Sequence, residues 1–295
     1  MASIYKSEAG KTIVEQRYRR ALGRWPVPFE ERMVATRYGD TFVVVSGDRA
    51  APPLVLFHGS GTNSAIWMRD VAVWSRTHRV HAVDLIGEPG FSAPARPPLA
   101  SGAYADWLDD VWDALGLTRA SIVGISLGGW LALDYAVRRP ARVASLSLVS
   151  PSGVGGQNRA FLLKAGLLLL LGEWGRRRAF ALVTGTRAGA PSEAAAFAIL
   201  IFEHFRPRME PLPIRTDAEL ASLQVPTQVI VGGQDVLLRS AETRDRIARL
   251  VPHAEVTYLA NAGHVLPPQT AAIASFLSSI ERSKAPAVIA SFVSV

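Results

Sequence analysis

Short apolar runs rich in β-branched residues alternate along this chain with longer segments whose apolar residues recur at helical spacing. Strands that are separated by helices pair in parallel, so this alternation predicts an α/β fold with a mostly parallel sheet and helices on both faces. Eight strands are predicted, the first two as a hairpin; they cover residues 33–37, 41–45, 54–57, 80–83, 121–125, 143–149, 227–231 and 254–259. Helices are predicted over residues 64–75, 104–115, 127–139, 240–250 and 268–280.

The alternation is interrupted once, between the sixth and seventh predicted strands. Residues 152–218 contain no convincing strand and are rich in Leu, Ala and Arg, with Gly and Pro between the helical patterns. We therefore predict a helical cap over residues 152–218. It is inserted into a core formed by residues 1–151 and 219–284, and an apolar tail over residues 285–295 follows.

The segment Gly124-Ile125-Ser126-Leu127-Gly128 matches the G-x-S-x-G pattern of a nucleophile elbow. A short apolar strand precedes it and a helical pattern that stops at Pro140 follows it, which is the strand–turn–helix context that the motif requires. Glycines suit both sides of the serine, because side chains there would collide with neighbouring backbone. The alternative is an ordinary turn with an exposed serine, but the context favours Ser126 as a nucleophile.

A serine nucleophile needs a base that takes its proton and an acid that orients the base. Of the six histidines, His264 lies in a loop just beyond the eighth predicted strand, and ligands of open α/β sheets bind beyond the carboxyl ends of strands. Asp235 follows a glycine turn at the end of the seventh strand. The competing Asp84 precedes the serine in the chain, and we interpret it as a residue that fixes a loop. The expected triad is Ser126, Asp235 and His264.

A tetrahedral intermediate also requires hydrogen-bond donors for its oxyanion. In a nucleophile elbow the backbone N–H after the serine supplies one of them, here that of Leu127. The glycine-rich turn His58-Gly59-Ser60-Gly61 follows the third predicted strand and allows the backbone to approach a substrate closely. We predict the Ser60 N–H as the second donor, with the Gly61 N–H in reserve.

Composition excludes several classes of site and partner. The chain of 295 residues has no cysteine, which excludes thiol nucleophiles, disulfides and thiolate metal sites, and we expect neither a metal nor a cofactor. The net charge of +7 is mostly arginine, with no basic run interleaved with aromatics, so nucleic-acid binding is not expected. Residues 1–10 lack the apolar segment of a signal peptide, and the apolar stretch 160–172 is too short to span a bilayer.

These features predict a soluble, cytoplasmic protein. Attachment to a membrane surface through residues 160–178, where leucines precede a basic triplet, is a weaker hypothesis. The sequence leaves a homodimer open.

Together the motifs resemble the α/β-hydrolase superfamily over about residues 30 to 280. The shared motifs are His58-Gly59-Ser60-Gly61, residues 84–92, residues 124–129, Gly233-Gln234-Asp235 and Gly263-His264. Within the superfamily the chain looks most similar to bacterial carboxylesterases of the NP type, which hydrolyse esters of arylpropionic acids; residues 22–28, 36–39, 52–55 and 261–266 carry that similarity. The chain departs from this subgroup in its cap and in its acid, since the resemblance implies a glutamate where this chain has Asp235.

The resemblance implies a cofactor-free serine hydrolase with a helical cap over the site. We expect a carboxylic-ester hydrolase that acts on small to medium lipophilic esters through an acyl-enzyme intermediate on Ser126. Most apolar cap residues are expected to form the cap's own core. The candidates for binding substrate are Gly61, Trp67, Phe161, Leu167, Trp174, Phe205 and Val265.

Three alternatives stay open on the same fold. A carbon–carbon bond hydrolase would share the turn after the third strand, but that group usually carries Trp directly after its catalytic histidine, where this chain has Val265. A thioesterase would use the same triad. A catalytically silent ligand-binding protein is the third, and the presence of Ser126, Asp235 and His264 argues against it.

Overall fold

The computed structural model describes residues 3–158, 161, 166–168, 170–184 and 193–284. The strands are β1 (Phe29–Val34), β2 (Thr41–Ser46), β3 (Pro53–Phe57), β4 (Arg79–Val83), β5 (Ala120–Ile125), β6 (Val143–Val149), β7 (Thr227–Gly232) and β8 (Glu255–Leu259). The α-helices within those ranges are α1 (Glu8–Leu22), α2 (Met68–Trp74), α3 (Ala103–Leu115), α4 (Leu127–Arg138), α5 (Gly172–Thr184), α6 (Glu193–His204), α7 (Asp217–Ala221), α8 (Ser240–Leu250) and α9 (Thr270–Lys284). Short 3-10 helices cover Ser64–Trp67, Leu99–Ser101 and Pro140–Arg142.

All eight strands belong to one sheet, in the order β1-β2-β4-β3-β5-β6-β7-β8. β1 pairs with β2 and β2 pairs with β4 in the antiparallel sense, whereas every pair from β4 to β8 is parallel. The predicted α/β-hydrolase fold with a mostly parallel eight-stranded sheet is therefore confirmed. β1 begins four residues earlier than predicted because Glu30, Glu31 and Arg32 interrupt its apolar pattern. They face solvent on an edge strand, where charged residues prevent pairing with another chain.

Two apolar clusters cover the two faces of the sheet. The first joins the sheet to α3, α4 and α8 and includes Trp112, Trp130 and Ile247. The second joins the opposite face to α1, α2 and α9 and includes Tyr18, Trp74 and Leu277. The sheet is thus buried on both faces, which explains why its central strands consist of nearly continuous apolar residues.

Helix α1 was not predicted from the sequence. It is rich in charged and polar residues, and Ser7 caps its first turn by accepting the Gly10 N–H at 3.0 Å. Its apolar positions are few, but they are buried: Val14, Tyr18 and Leu22 are each about 1 % exposed. Tertiary packing, rather than a strong apolar pattern, therefore stabilises this helix.

Helices α5, α6 and α7 lie between β6 and β7, and the described residues of this stretch form no strand longer than an isolated bridge. α6 packs on α1, and Glu193 at its start accepts hydrogen bonds from Arg17 of α1 and from Arg24, which lies just after α1. An isolated bridge also pairs Tyr5 with Phe205. The amino-terminal segment thereby links the helices of this insertion to the core. The apolar tail over residues 285–295 lies outside the described residues.

Candidate active site

Ser126 occupies a strained turn between β5 and α4. Its φ of 53° and ψ of −109° are rare for a residue with a side chain. Gly124 and Gly128 surround it because a Cβ at either position would collide with backbone atoms, at Gly128 with the Phe57 carbonyl oxygen. The Ser126 N–H donates to Val149 O at 3.0 Å, and its carbonyl accepts the Trp130 N–H at 3.0 Å. The serine is held in this geometry from both the sheet and the helix.

The structure brings the three residues of the predicted triad into one hydrogen-bonded chain. The His264 Nε2 lies 3.1 Å from the Ser126 Oγ, and the His264 Nδ1 lies 2.8 Å from an Asp235 carboxylate oxygen. The Asp235 side chain is fully buried and that of His264 is nearly so. This arrangement allows the imidazole to accept the proton of the serine hydroxyl while the carboxylate fixes its orientation.

The Asp235 carboxylate is oriented by its own turn. One carboxylate oxygen accepts the Leu237 N–H at 2.8 Å and the Leu238 N–H at 3.0 Å. The other, which faces His264, also accepts the Ser240 hydroxyl at 3.3 Å. Hydrogen bonds of this kind stabilise the ionised carboxylate and restrict its rotation.

Ser150, which directly follows β6, is a site residue that sequence reasoning missed. Its hydroxyl donates to the His264 carbonyl oxygen at 3.0 Å, and its N–H donates to Ile230 O at 2.8 Å. Its φ of 42° is positive, a property that among the described non-glycine residues it shares only with Ser126. The one available signal was its place at the carboxyl end of a strand beside the elbow.

The turn after β3 carries both residues predicted as the second oxyanion donor, Ser60 and Gly61, but the Gly61 N–H is already occupied. Gly61 donates its N–H to the Glu88 carboxylate at 2.7 Å, so it is not free to bind an oxyanion, and the reserve prediction is wrong. Within the described part of the chain, the N–H groups of Ser60 and Leu127 have no hydrogen-bond acceptor. Both predicted primary donors are therefore available to a ligand.

Glu88 is a second site residue that the sequence analysis did not identify. It lies in the loop after β4, is 2 % exposed, and accepts the Gly61 N–H and, at 3.2 Å, the Ser60 hydroxyl. Burial raises the pKa of the Glu88 carboxyl to about 7, although the Gly61 N–H and the guanidinium of Arg96 act in the opposite direction. A charged residue in the loop that follows a strand was the only sequence signal.

His58 and Asp84, the other candidates for the base and the acid, make hydrogen bonds that hold the local structure. His58 is buried; its Nε2 accepts the Leu85 N–H at 2.9 Å, which leaves Nδ1 to donate to Gly59 O at 2.9 Å. Burial lowers the pKa of His58, which favours the neutral ring. Asp84 is buried and accepts hydrogen bonds from Tyr18, Ser64 and the Phe91 N–H. It fixes its loop, as the sequence indicated.

The residues proposed for substrate binding have different positions in the structure. Trp67 is buried in the second apolar cluster, and Phe205 is buried in a further cluster with Ile4 and Tyr5. Both are therefore core residues that a substrate does not reach. Phe161 is also largely buried. By contrast, more than half of the side-chain surface of Leu167, Trp174 and Val265 is exposed. Phe202, which was not named as a site residue, lies beside Gly61, where a Cβ would be 3.3 Å from its ring.

The described ranges contain neither a metal-binding group of side chains nor a helix suited to crossing a membrane. There, no group of three or more His, Asp or Glu side chains is placed to hold a metal ion. None of the described helices has both the length and the apolar character needed to cross a bilayer.

The sequence matches the alpha/beta hydrolase family over residues 54–276. Two curated relatives come from Bacillus subtilis: an uncharacterized carboxylesterase nap, 32 % identical over 257 residues (85 % of this chain and 86 % of the relative), and carboxylesterase YbfK, 31 % identical over 85 % and 87 %. Among solved structures, carboxylesterase CesB (YbfK) from B. subtilis superposes with a TM-score of 0.81 at 29 % identity, covering 92 % of this chain and 99 % of that one. Naproxen esterase (carboxylesterase NP) from the same organism gives 0.80 at 30 % identity, covering 94 % and 99 %.

Proposed function

The chain belongs to the alpha/beta hydrolase family, and on that premise we propose that it is a carboxylesterase that cleaves lipophilic carboxylic esters with Ser126 as its nucleophile. One observation carries the proposal: a continuous hydrogen-bonded chain runs from the Ser126 hydroxyl through the His264 ring to the Asp235 carboxylate. The B. subtilis relatives support the ester as the substrate class, because they are named carboxylesterases.

In the acylation half-reaction, the Ser126 Oγ attacks the ester carbonyl carbon while the His264 Nε2 takes the hydroxyl proton. The resulting imidazolium is stabilised by Asp235, which accepts the hydrogen bond from Nδ1. When the tetrahedral intermediate collapses, the carbon–oxygen bond to the alcohol breaks, and His264 returns the proton to the departing alkoxide. The products of this half-reaction are a free alcohol and an acyl ester of Ser126.

In the deacylation half-reaction, His264 acts as the base again, now for water. The water oxygen attacks the acyl carbonyl, and its proton passes to Nε2. Collapse of the second intermediate breaks the bond to the Ser126 Oγ, which recovers the proton from the imidazolium. The carboxylic acid leaves and the starting protonation state of the site is restored.

The backbone N–H groups of Leu127 and Ser60 would stabilise the negative charge on the former carbonyl oxygen. Leu127 is the first residue of α4, so its N–H has no partner inside the helix, and the helix dipole favours negative charge at this end. Ser60 lies on the turn that passes the nucleophile, since a Cβ at the neighbouring Gly59 would be 3.7 Å from the Ser126 Cβ. Donors that are fixed before the reaction give the largest part of the rate enhancement in such sites.

The preference for lipophilic esters is inferred from the side chains around the elbow. Phe202 of α6 lies beside Gly61, Val265 is exposed next to His264, and Phe197 and Leu266 pack on the same cluster as Ile125. In this proposal the helices between β6 and β7 act as a cap that supplies apolar surface to the substrate.

The test is a substrate panel with matched variants. Nitrophenyl esters of graded acyl size, including aryl-branched acids, are compared with acyl thioesters and ring-cleavage products for the wild-type protein and Ser126→Ala. We expect preferred turnover of esters, and a loss of at least ~10³ in kcat for Ser126→Ala because a triad member is removed. Preferred turnover of a thioester or a ring-cleavage product, or ester turnover that survives Ser126→Ala, would overturn the proposal.

A further inference from the structure

The oxyanion loop, defined as residues His58–Gly61, is held at two places on either side of the Ser60 N–H. The first is the Gly59 carbonyl, which accepts the His58 Nδ1–H at 2.9 Å and the Thr62 hydroxyl at 2.7 Å. The C=O and N–H of a trans peptide unit point in opposite directions. The Gly59 carbonyl therefore orients the Ser60 N–H of the same unit away from His58 and Thr62.

The second place is the next peptide unit, whose N–H belongs to Gly61. The Glu88 carboxylate accepts this N–H at 2.7 Å, and the same oxygen accepts the Ser60 hydroxyl at 3.2 Å. Gly61 has a φ of +67°, so the loop reverses here with no regular secondary structure to hold it. In the described structure, Glu88 is the acceptor for both groups that follow the Ser60 N–H.

The loop that carries Glu88 is itself rigidly attached. The Asn63 side chain donates to Pro89 O at 2.9 Å, the Gly87 N–H donates to Ala93 O at 2.9 Å, and the Phe91 N–H donates to Asp84 at 2.9 Å. A carboxylate on such a loop can fix the position of a neighbouring turn, because its own movement is restricted.

We propose that Glu88 is a positioning residue for the oxyanion hole, which acts by holding the Ser60–Gly61 peptide so that the Ser60 N–H faces the carbonyl oxygen of the ester whose carbon Ser126 attacks. This inference rests on the esterase function proposed above. Glu88 does not touch the reacting atoms in this account, since its two hydrogen bonds go to the loop. It affects the reaction only by setting the direction in which the Ser60 N–H points.

The charges around Glu88 make this effect dependent on pH. Arg96 and Arg208 favour its ionised form, and the hydroxyl groups of Tyr5 and Tyr104 lie within its electrostatic influence. Burial outweighs the two arginines and raises the pKa of Glu88 to about 7. A carboxylate accepts stronger hydrogen bonds than a neutral carboxylic acid, so the loop is held more firmly above pH 7 than below it.

Steady-state kinetics of Glu88→Ala and Glu88→Gln measure the catalytic consequence. Because a displaced oxyanion donor weakens binding of the transition state more than binding of the ester, we expect Glu88→Ala to lower kcat about 10- to 100-fold, with KM changed less than about threefold. Glu88→Gln keeps an acceptor oxygen and should retain kcat within about fivefold at pH 6. The ratio of wild-type to Glu88→Gln kcat should rise between pH 6 and pH 8, which loss of stability alone would not produce.

Asp70→Ala is the matched control, because it removes another partly buried carboxylate that bonds Thr270 at the start of α9, outside the oxyanion loop. It should lower stability and leave kcat unchanged. An unchanged kcat in Glu88→Ala, or an equal loss of kcat in Asp70→Ala, would overturn the proposal. If Glu88→Ala does not fold, the pH dependence of Glu88→Gln decides.

Hydrogen exchange of a peptide spanning residues 58–62 separates this inference from the esterase proposal. We expect faster exchange at the Gly61 N–H in Glu88→Ala than in the wild-type protein and Glu88→Gln, whether or not an ester is turned over. Equal exchange in all three proteins would overturn the positioning role even in an active esterase. Absence of ester turnover with this exchange difference intact would instead overturn the esterase function.

Discussion

The Ser150 hydroxyl donates a hydrogen bond of 3.0 Å to the His264 carbonyl oxygen, and so attaches the loop that carries the imidazole to the end of β6. The Ser150 N–H also donates to Ile230 O in β7. The loop that carries His264 is thus connected to the end of β6 and, through Ser150, to β7. The loop of the proposed base is therefore anchored by a side chain outside the proposed triad.

Ser150→Ala should therefore impair catalysis more than folding. The change leaves a buried carbonyl without its donor, which costs about 1 kcal/mol, and allows the ring of His264 to shift. We expect kcat to fall about five- to tenfold with little change in KM. Ser147→Ala is the control, since Ser147 is buried in β6, the strand that Ser150 follows, and bonds Gln228 away from the site. Equal kcat values for Ser150→Ala and the wild-type protein would show that the hydrogen bond does not position the base.

A buried ion pair joins α4, the helix that follows Ser126, to Arg215 in the segment before α7. Arg215 lies 2.8 Å from Asp134 of α4, and both side chains are almost completely buried. Among the described residues, Arg215→Met would leave the buried carboxylate of Asp134 with only the partly exposed Arg138 as a cationic partner. We therefore expect the free energy of unfolding to fall by about 3–5 kcal/mol. The double variant Asp134→Leu/Arg215→Met should lose less. Urea denaturation measures both, and a double variant less stable than Arg215→Met would contradict this account.

Protonation of His81 should make the stability of the fold depend on pH in the acid range. The ring is buried, and the register partners of His81 in the neighbouring strands are Val45 and Val55. Neither ring nitrogen has a hydrogen-bond partner among the described residues. Burial, with Arg79 and Arg32 nearby, lowers the pKa of His81 to about 4. The unfolded chain therefore binds a proton that the folded chain does not, and stability falls as pH decreases from about 6.5 to about 4.

His81→Leu should remove this contribution. The difference in the free energy of unfolding between the variant and the wild-type protein is expected to shift by about 2 kcal/mol in favour of the variant between pH 7.5 and pH 5. Urea denaturation at the two pH values tests this. A difference that is independent of pH would mean that His81 is protonated equally in the folded and unfolded states.

Glu88 should make the stability depend on pH in the direction opposite to that of His81. Because burial raises the pKa of its carboxyl to about 7, the folded chain retains a proton that the unfolded chain loses, and stability falls as pH rises from about 4.5 through about 7. Glu88→Gln carries no charge, so it should gain roughly 2 kcal/mol relative to the wild-type protein between pH 5 and pH 8.5. Denaturation curves at the two pH values check this. A constant difference would indicate that Glu88 is ionised at both.

The strands were predictable because each depends on local sequence, and the order of the strands placed the three proposed triad residues at one edge of the sheet. Buried central strands require continuous apolar, β-branched runs, and such a run indicated β6 at its observed bounds. Apolar residues at helical spacing indicated α8 at its observed bounds. The proximity of Ser126, Asp235 and His264 could be predicted because all three follow strands whose carboxyl ends lie at the same edge of the sheet.

The remaining features depend on contacts between segments distant in the chain. α1 is rich in charged and polar residues, and its burial depends on contacts with Asp84 and α6, which the sequence around it does not reveal. Glu88 owes its role to a turn 27 residues away. Trp67 and Phe205 were misassigned because an apolar side chain near a site has the same sequence pattern whether it faces a pocket or the core.

The most direct test of the account is covalent labelling of the folded protein with a fluorophosphonate, followed by peptide mapping. We predict a single adduct on Ser126 in the wild-type protein, none in Ser126→Ala, and a labelling rate at least ~10³ lower in His264→Ala, because the base no longer takes the hydroxyl proton. Labelling at another residue, no labelling of the folded wild-type protein, or an unchanged rate in His264→Ala would contradict the assignment of Ser126 as the nucleophile activated by His264.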